Sequence, residues 1–102
     1  MLKKKFCVYN ISMVRYYVVF KGQVQGVGFR FTLYNYARQN GLTGWVRNRF
    51  DGAVEAQIQG EVSKIMEVID LLRNSSRFID IEDYSIKEMD IVTGEKKFNI
   101  VY

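Results

Sequence analysis

The chain has 102 residues, 48% of them hydrophobic and 15% aromatic, which suits one domain with a single two-layer core and excludes a disordered chain. No apolar run approaches bilayer length, and the apolar segment after Lys3-Lys4-Lys5 is too short for a signal sequence. Cys7 is the single cysteine, so no internal disulfide can form, and a cytoplasmic protein is expected.

Charge is unevenly divided. Residues 1–50 carry nine Lys/Arg and no acid, and residues 51–102 carry six Lys/Arg and eleven Asp/Glu, so halves of +9 and −5 sum to +4. A positive field around the first half would draw in anions, although a solvated basic surface or a nucleic-acid patch fits the same count. Absences narrow the chemistry further. The chain has no histidine, which excludes a His base, a phosphohistidine and a His metal ligand. Six residues after Cys7 stands Met13, which excludes a Cys-x5-Arg phosphatase. Acids begin at Asp51 and are scattered, with no spacing that suggests a metal site.

In chain order, residues 1–13 read as an N-terminal extension or an extra strand, with Met13 an alternative start for a domain over 14–102. Arg15–Lys21, rich in β-branched and aromatic residues, predicts the first strand. Gly22, Gly26 and Gly28 then mark a turn, and the apolar spacing of Phe29, Leu33, Tyr36 and Ala37 predicts a helix to about Asn40, stopped by Gly41. Alternation over Leu42–Phe50 places Trp45, Arg47 and Arg49 on one face of a strand and Val46, Asn48 and Phe50 on the other. Asp51-Gly52 signals a hairpin into a strand over Ala53–Gln59, ended by Gly60. A helix over Glu61–Asn74 carries an apolar stripe of Val62, Ile65, Met66, Ile69 and Leu72. Phe78–Ile81 with Tyr84–Lys87 reads as a further extended segment, and Phe98, Ile100 and Tyr102 alternate in a last strand. The order β-α-β-β-α-β plus a C-terminal strand predicts an α+β ferredoxin-like two-layer sandwich, a mostly antiparallel sheet with two helices on one face.

Val24-Gln25-Gly26-Val27-Gly28-Phe29-Arg30 is the stretch with chemical content. A strand runs through a glycine turn into a helix whose first amides lack intrahelical partners, and Arg30 sets a permanently charged fork beside them. This predicts a phosphoryl-binding loop. It is neither of two common ones. A Walker loop needs Gly-Lys-Ser/Thr where Gly28-Phe29-Arg30 stands, and the dinucleotide fingerprint needs glycine at Phe31. A tight turn beside a surface arginine is the bland alternative. Asn48 shares its strand face with apolar side chains; it reads either as a hairpin-supporting turn residue or as a donor and acceptor that orients water.

Taken together, Gly22–Arg30, then Gly41-Leu42-Thr43-Gly44-Trp45-Val46-Arg47-Asn48 with Asp51-Gly52-Ala53-Val54-Glu55 behind it, resemble the acylphosphatases from about Tyr16 to Tyr102. Two departures stand out: Asn74-Ser75-Ser76-Arg77 replaces the Gly-Pro common after the second helix, and the first dozen residues have no counterpart. The resemblance implies the ferredoxin-like fold and hydrolysis of small acyl phosphates to carboxylate and inorganic phosphate, with no cofactor, no metal and no covalent intermediate. It implies that Arg30 and the backbone amides of Gln25, Gly26, Val27, Gly28 and Phe29 hold the phosphoryl group, and that Asn48 places the attacking water. The partners it implies are the acyl phosphate and product phosphate, without nucleic acid or membrane, for a monomer. One rival reading is a catalytically silent small-molecule-binding or protein-interaction domain that keeps the fold; another, an RNA-binding module, rests on the likeness of Gln25–Phe31 to a Gly-aromatic RNA signature. That signature belongs on a third strand, whereas here it follows the first.

Overall fold

The computed structural model describes residues 12–102, so the expected extension before them lies outside the described residues apart from its last two positions. Met13 already belongs to the first strand, and Ser12 accepts a hydrogen bond from Val62 N at 3.0 Å. The elements are β1 (Met13–Gln23), α1 (Phe29–Gln39), β2 (Thr43–Asn48), β3 (Val54–Glu61), α2 (Val62–Arg73), β4 (Asp80–Met89) and β5 (Phe98–Ile100).

They build one sheet of strand order β4-β1-β3-β2-β5. β1 runs antiparallel to both β3 and β4, and β2 runs antiparallel to β3 and parallel to β5. This is the ferredoxin-like βαββαβ arrangement with a C-terminal strand. The pleat explains the layering. Val18 and Phe20 of β1, Val46 of β2, and Val54, Ala56 and Ile58 of β3 are fully buried on one face. Against them pack Phe29, Leu33 and Ala37 of α1 and Ile65, Val68, Ile69 and Leu72 of α2. The opposite face carries Arg15, Tyr17, Gln57, Gln59 and Arg47, and its polar groups bond to one another.

Four local expectations are corrected. Val68, not Met66, completes the α2 core stripe, because Met66 has turned to the exposed side of the helix. β3 does not end at Gly60 but continues to Glu61; the Leu42 side chain lies over Gly60 and occupies the space of a Cβ there. Gly22 is no part of the turn. It lies within β1, at a register shift opposite β4, where a Cβ would sit 2.2 Å from Asp80 O. Its lack of a side chain lets β4 come close at that bulge. β2 ends at Asn48, so Phe50 never takes a place on the core face and is fully exposed on the hairpin.

Candidate active site

β1 delivers the chain into Val24, which is buried, and then into four bends at Gln25–Gly28 before α1 begins. Gly28 is the residue capping α1 and has φ 80° and ψ 16°, a left-handed conformation that a glycine adopts without strain. Gly26 is left-handed as well, and a Cβ at either glycine would meet nothing within 4 Å. Both therefore serve backbone direction, and the space above them is open. The first bond of α1 runs from Thr32 N to Gly28 O at 3.0 Å. Among the described residues, the amides of Gln25 to Phe29 donate to no protein acceptor. No acidic side chain stands in the first turn of α1 to compete for an incoming anion.

The loop is tied down from outside. Gln25 Nε2 donates to Arg49 O at 2.6 Å and to Ala53 O at 2.9 Å. These two bonds reach from the loop to the β2–β3 hairpin, which brings Asn48 toward the glycine turn. The hairpin has its own support: Arg49 N bonds Ala53 O at 2.9 Å, and Asp51 Oδ1 accepts from Ala53 N at 3.1 Å. That bond from Ala53, aided by Arg49, holds the Asp51 carboxyl below its ordinary range.

A cavity of about 190 Å³ lies between loop and hairpin, lined by Gly26, Gly28, Arg30, Asn48 and Tyr102 among others. Arg30 is half-buried there, and its guanidinium carbon lies 5.1 Å from the centre of the Tyr102 ring. Among the described residues no carboxylate pairs with Arg30, in contrast to Arg15, Arg47 and Arg49. Asn48 ends β2 opposite Val54. Its Oδ1 is buried and has no hydrogen-bond partner. An acceptor left in that state costs about 1–3 kcal/mol, so its persistence points to use.

Next to Asn48, Glu55 accepts from Tyr17 Oη at 2.6 Å and from Arg47 Nη2 at 2.7 Å. Burial opposes the Glu55 charge, but these bonds outweigh it and hold the carboxyl below its usual range. The same bond pushes the Tyr17 hydroxyl up.

The structure thus brings Arg30, Asn48 and Gly26, Gly28 and Phe29 of the loop to one cavity, all named from the sequence, whereas Gln25 and Val27 are not among its lining residues. It adds two features that sequence spacing did not signal. The Gln25 side chain is a brace as well as its amide a donor, and Tyr102 stacks on Arg30. Tyr102 lies beyond the end of β5; Val101 N bonds Val46 O at 2.9 Å and carries the tail toward Arg30. Among the described residues no three His, Cys, Asp or Glu side chains cluster to hold a metal ion, and no helix is long and apolar enough to cross a membrane.

The acylphosphatase family model matches residues 16–100. The chain belongs to the acylphosphatase family. It is 38% identical over 90 residues to the acylphosphatase of Geobacillus kaustophilus (strain HTA426), spanning 88% of this chain and 96% of that one. The acylphosphatase of Bacillus subtilis (strain 168) is 37% identical over 90 residues, spanning 88% and 99%. The crystal structure of acylphosphatase from Bacillus subtilis superposes with a TM-score of 0.80 at 35% identity, over 89% of this chain and 100% of that one. An acylphosphatase structure from Coxiella burnetii gives 0.78 at 27% identity, over 92% and 100%. The family is one of hydrolases acting on acid anhydrides. In this acylphosphatase-family chain the segment Gln25–Phe31 is loop and helix rather than strand, unlike the Gly-aromatic signature of the RNA-binding alternative.

Proposed function

We propose that this protein hydrolyses small acyl phosphates to a carboxylate and inorganic phosphate. One observation carries the reading: Asn48, whose Oδ1 is buried without a partner, lines the same small cavity as Arg30, which no carboxylate pairs with among the described residues, and as Gly26, Gly28 and Phe29 of the loop.

In this reading the amides of Gln25, Gly26, Val27, Gly28 and Phe29 and the Arg30 fork take the nonbridging phosphoryl oxygens. Asn48 Oδ1 accepts a hydrogen bond from water and aims its oxygen at phosphorus. The new P–O bond forms as the bond from phosphorus to the bridging acyl oxygen breaks, and the electron pair leaves on the carboxylate. The water's proton passes to a phosphoryl oxygen. A carboxylic acid has a pKa of roughly 4, so the carboxylate leaves without being protonated, and no His or raised acid is needed. Positioning and neutralisation of phosphoryl charge supply the acceleration. The route needs no metal or cofactor, and the single cysteine, Cys7, fits a cytoplasmic setting.

The test is phosphate release from acetyl phosphate and benzoyl phosphate beside an alkyl phosphomonoester. The acyl phosphates should turn over and the monoester poorly, because no histidine or carboxylic acid lines the small cavity to protonate an alkoxide. Comparable turnover of both classes would overturn the mechanism.

A further inference from the structure

A cavity of about 470 Å³ lies between the C-terminal half of α1 and the start of β5, with Tyr34, Arg38, Thr43, Lys96, Lys97 and Asn99 among its lining residues. It shares no lining residue with the small cavity at the glycine loop. Arg38 follows Arg30 on the same helix by about 12 Å along the axis, at roughly 1.5 Å per residue.

We infer that this cavity is a second anion site, separate from the glycine loop, and that it takes a compact oligophosphate. Its charge is one-sided, since Arg38, Lys96 and Lys97 line it and no acid does. Among the described residues none of these three cations is ion-paired. Glu95, next to Lys96 in the chain, is held by Arg15 at 2.8 Å instead. Like charges gathered without a counter-charge repel one another, and a bound anion relieves that cost.

The helix end does not account for Arg38. A cation in a last turn ordinarily serves the free carbonyls there. Here Tyr36 O accepts from Asn40 N at 3.1 Å and from Asn40 Nδ2 at 2.8 Å, Ala37 O from Leu42 N at 2.9 Å, and Arg38 O from Gly41 N at 3.3 Å. The guanidinium goes to Tyr34, where Nη1 donates to Oη at 3.2 Å and the guanidinium carbon lies 5.3 Å from the ring centre. One cation is thus set in place before any ligand arrives. Lys97 is placed by its backbone, because its carbonyl accepts from Gly44 N at 3.0 Å as β5 joins β2.

The ligand class follows from number and kind. Three cations around one cavity suit several charges close together, and two of them are lysines, which act as point charges rather than as planar forks. Nucleic acid fits less well. The Tyr34 ring already packs against Arg38 and against Phe31 at 6.4 Å, which leaves a base little to stack on.

The experiment titrates the full chain with inorganic triphosphate at low salt and follows backbone amides by NMR. The amides of Thr43 and Lys97 to Asn99 should shift together and saturate, with an affinity independent of the shifts at Gly26 to Phe29. Lys96→Gln with Lys97→Gln should weaken that set about tenfold, and Lys96→Arg with Lys97→Arg should restore it. Both pairs are exposed changes, so the remaining spectrum and the turnover should match the parent's. Shifts confined to the glycine loop, or an unaltered affinity in the glutamine pair, overturn the site. Inorganic monophosphate binding there as tightly as triphosphate overturns the oligophosphate class. So does tighter binding of a short single-stranded oligothymidylate at the same amides, which would assign the cavity to nucleic acid.

Discussion

Two arginines in this fold stand in opposite states. Arg15, on the outer face of the sheet, is 3% exposed and fully engaged. It donates to Gln57 Oε1 at 2.7 Å, Gln59 Oε1 at 3.1 Å and Glu95 Oε1 at 2.8 Å. Gln59 in turn clasps the backbone of Val92 through both its amide atoms, pinning the segment between β4 and β5. Arg30 and Asn48 carry the same groups, a guanidinium and a side-chain amide, yet neither is satisfied in this way. The amide oxygen of Gln59 accepts two hydrogen bonds, and that of Asn48 accepts none. A saturated polar network specifies structure, while groups left short of partners keep their bonding capacity for a ligand.

The sharpest test of that contrast is Arg30→Ala. It should cut kcat/KM by about a hundred- to a thousandfold and weaken competitive inhibition by inorganic phosphate, while thermal stability stays near the parent's. Arg30→Lys should remain poor, because a point charge does not reproduce a planar fork. Wild-type phosphate inhibition in Arg30→Ala would remove the loop from phosphate binding. Arg15→Ala should do the reverse. Chemical denaturation should show a loss of about 3 kcal/mol, the lower end for a broken buried pair because Glu95 is partly exposed, with kcat per folded molecule unchanged.

Asn48→Ala should lower kcat about a hundredfold by misplacing the water, with phosphate inhibition near normal. Its melting temperature should equal or exceed the parent's, since the substitution removes an unsatisfied buried acceptor; full turnover would take water placement away from Asn48. A smaller effect is expected for Gln25→Leu, which removes the Nε2 bonds to the Arg49 and Ala53 carbonyls. Each lost bond is worth about 1 kcal/mol, and a loosened loop should raise the phosphate inhibition constant about fivefold.

The smallest effect is that of acid. Glu55 and Asp51 have folded-state pKa values below their unfolded ones, so the stability they contribute is present above the ordinary carboxylate value of 4.5 and 3.8 respectively. It is lost as pH falls through the lower folded values. Glu55→Gln should therefore flatten the fall in melting temperature on acidification below about pH 4.5, and an unaltered slope would assign the acid response elsewhere.

What could be read from the sequence was what is local in it. The glycine loop, Arg30 and the helix after it lie within one short stretch, so their succession was legible there, although the loop is also held from outside through Gln25. Asn48 was accessible because β2 alternation put an amide on an apolar face. The Gln25 brace was not, since its acceptors lie 24 and 28 residues away and glutamine in a turn carries no sign of its partner. Phe50 was placed on the core face by alternation carried past the real strand end. Met66 lost its core place to Val68 because a stripe on an isolated helix has two edges, and only the sheet decides which is used. The basic first half proved less basic in space than in sequence. Arg15, Arg47 and Arg49 are each paired with an acid of the second half, whereas Arg30, like Lys21 and Arg38, has no such pair among the described residues, and of these three only Arg30 lines the small cavity.

The place of β1 in the sheet also sets an order of assembly. β1 comes first among the strands described, yet it lies between β3 and β4, with Phe20 opposite Val54 and Arg15 opposite Met89. Contacts this distant in sequence form late, whereas the β2–β3 hairpin bearing Asn48 closes over a few residues. The glycine loop hangs directly from the end of β1 and is expected to take its final shape only when that strand is inserted. A refolding chain is expected to hold the hairpin that bears Asn48 before it holds the loop proposed to bind phosphate, so that regain of phosphate affinity should follow the slow step and clock completion of the sheet.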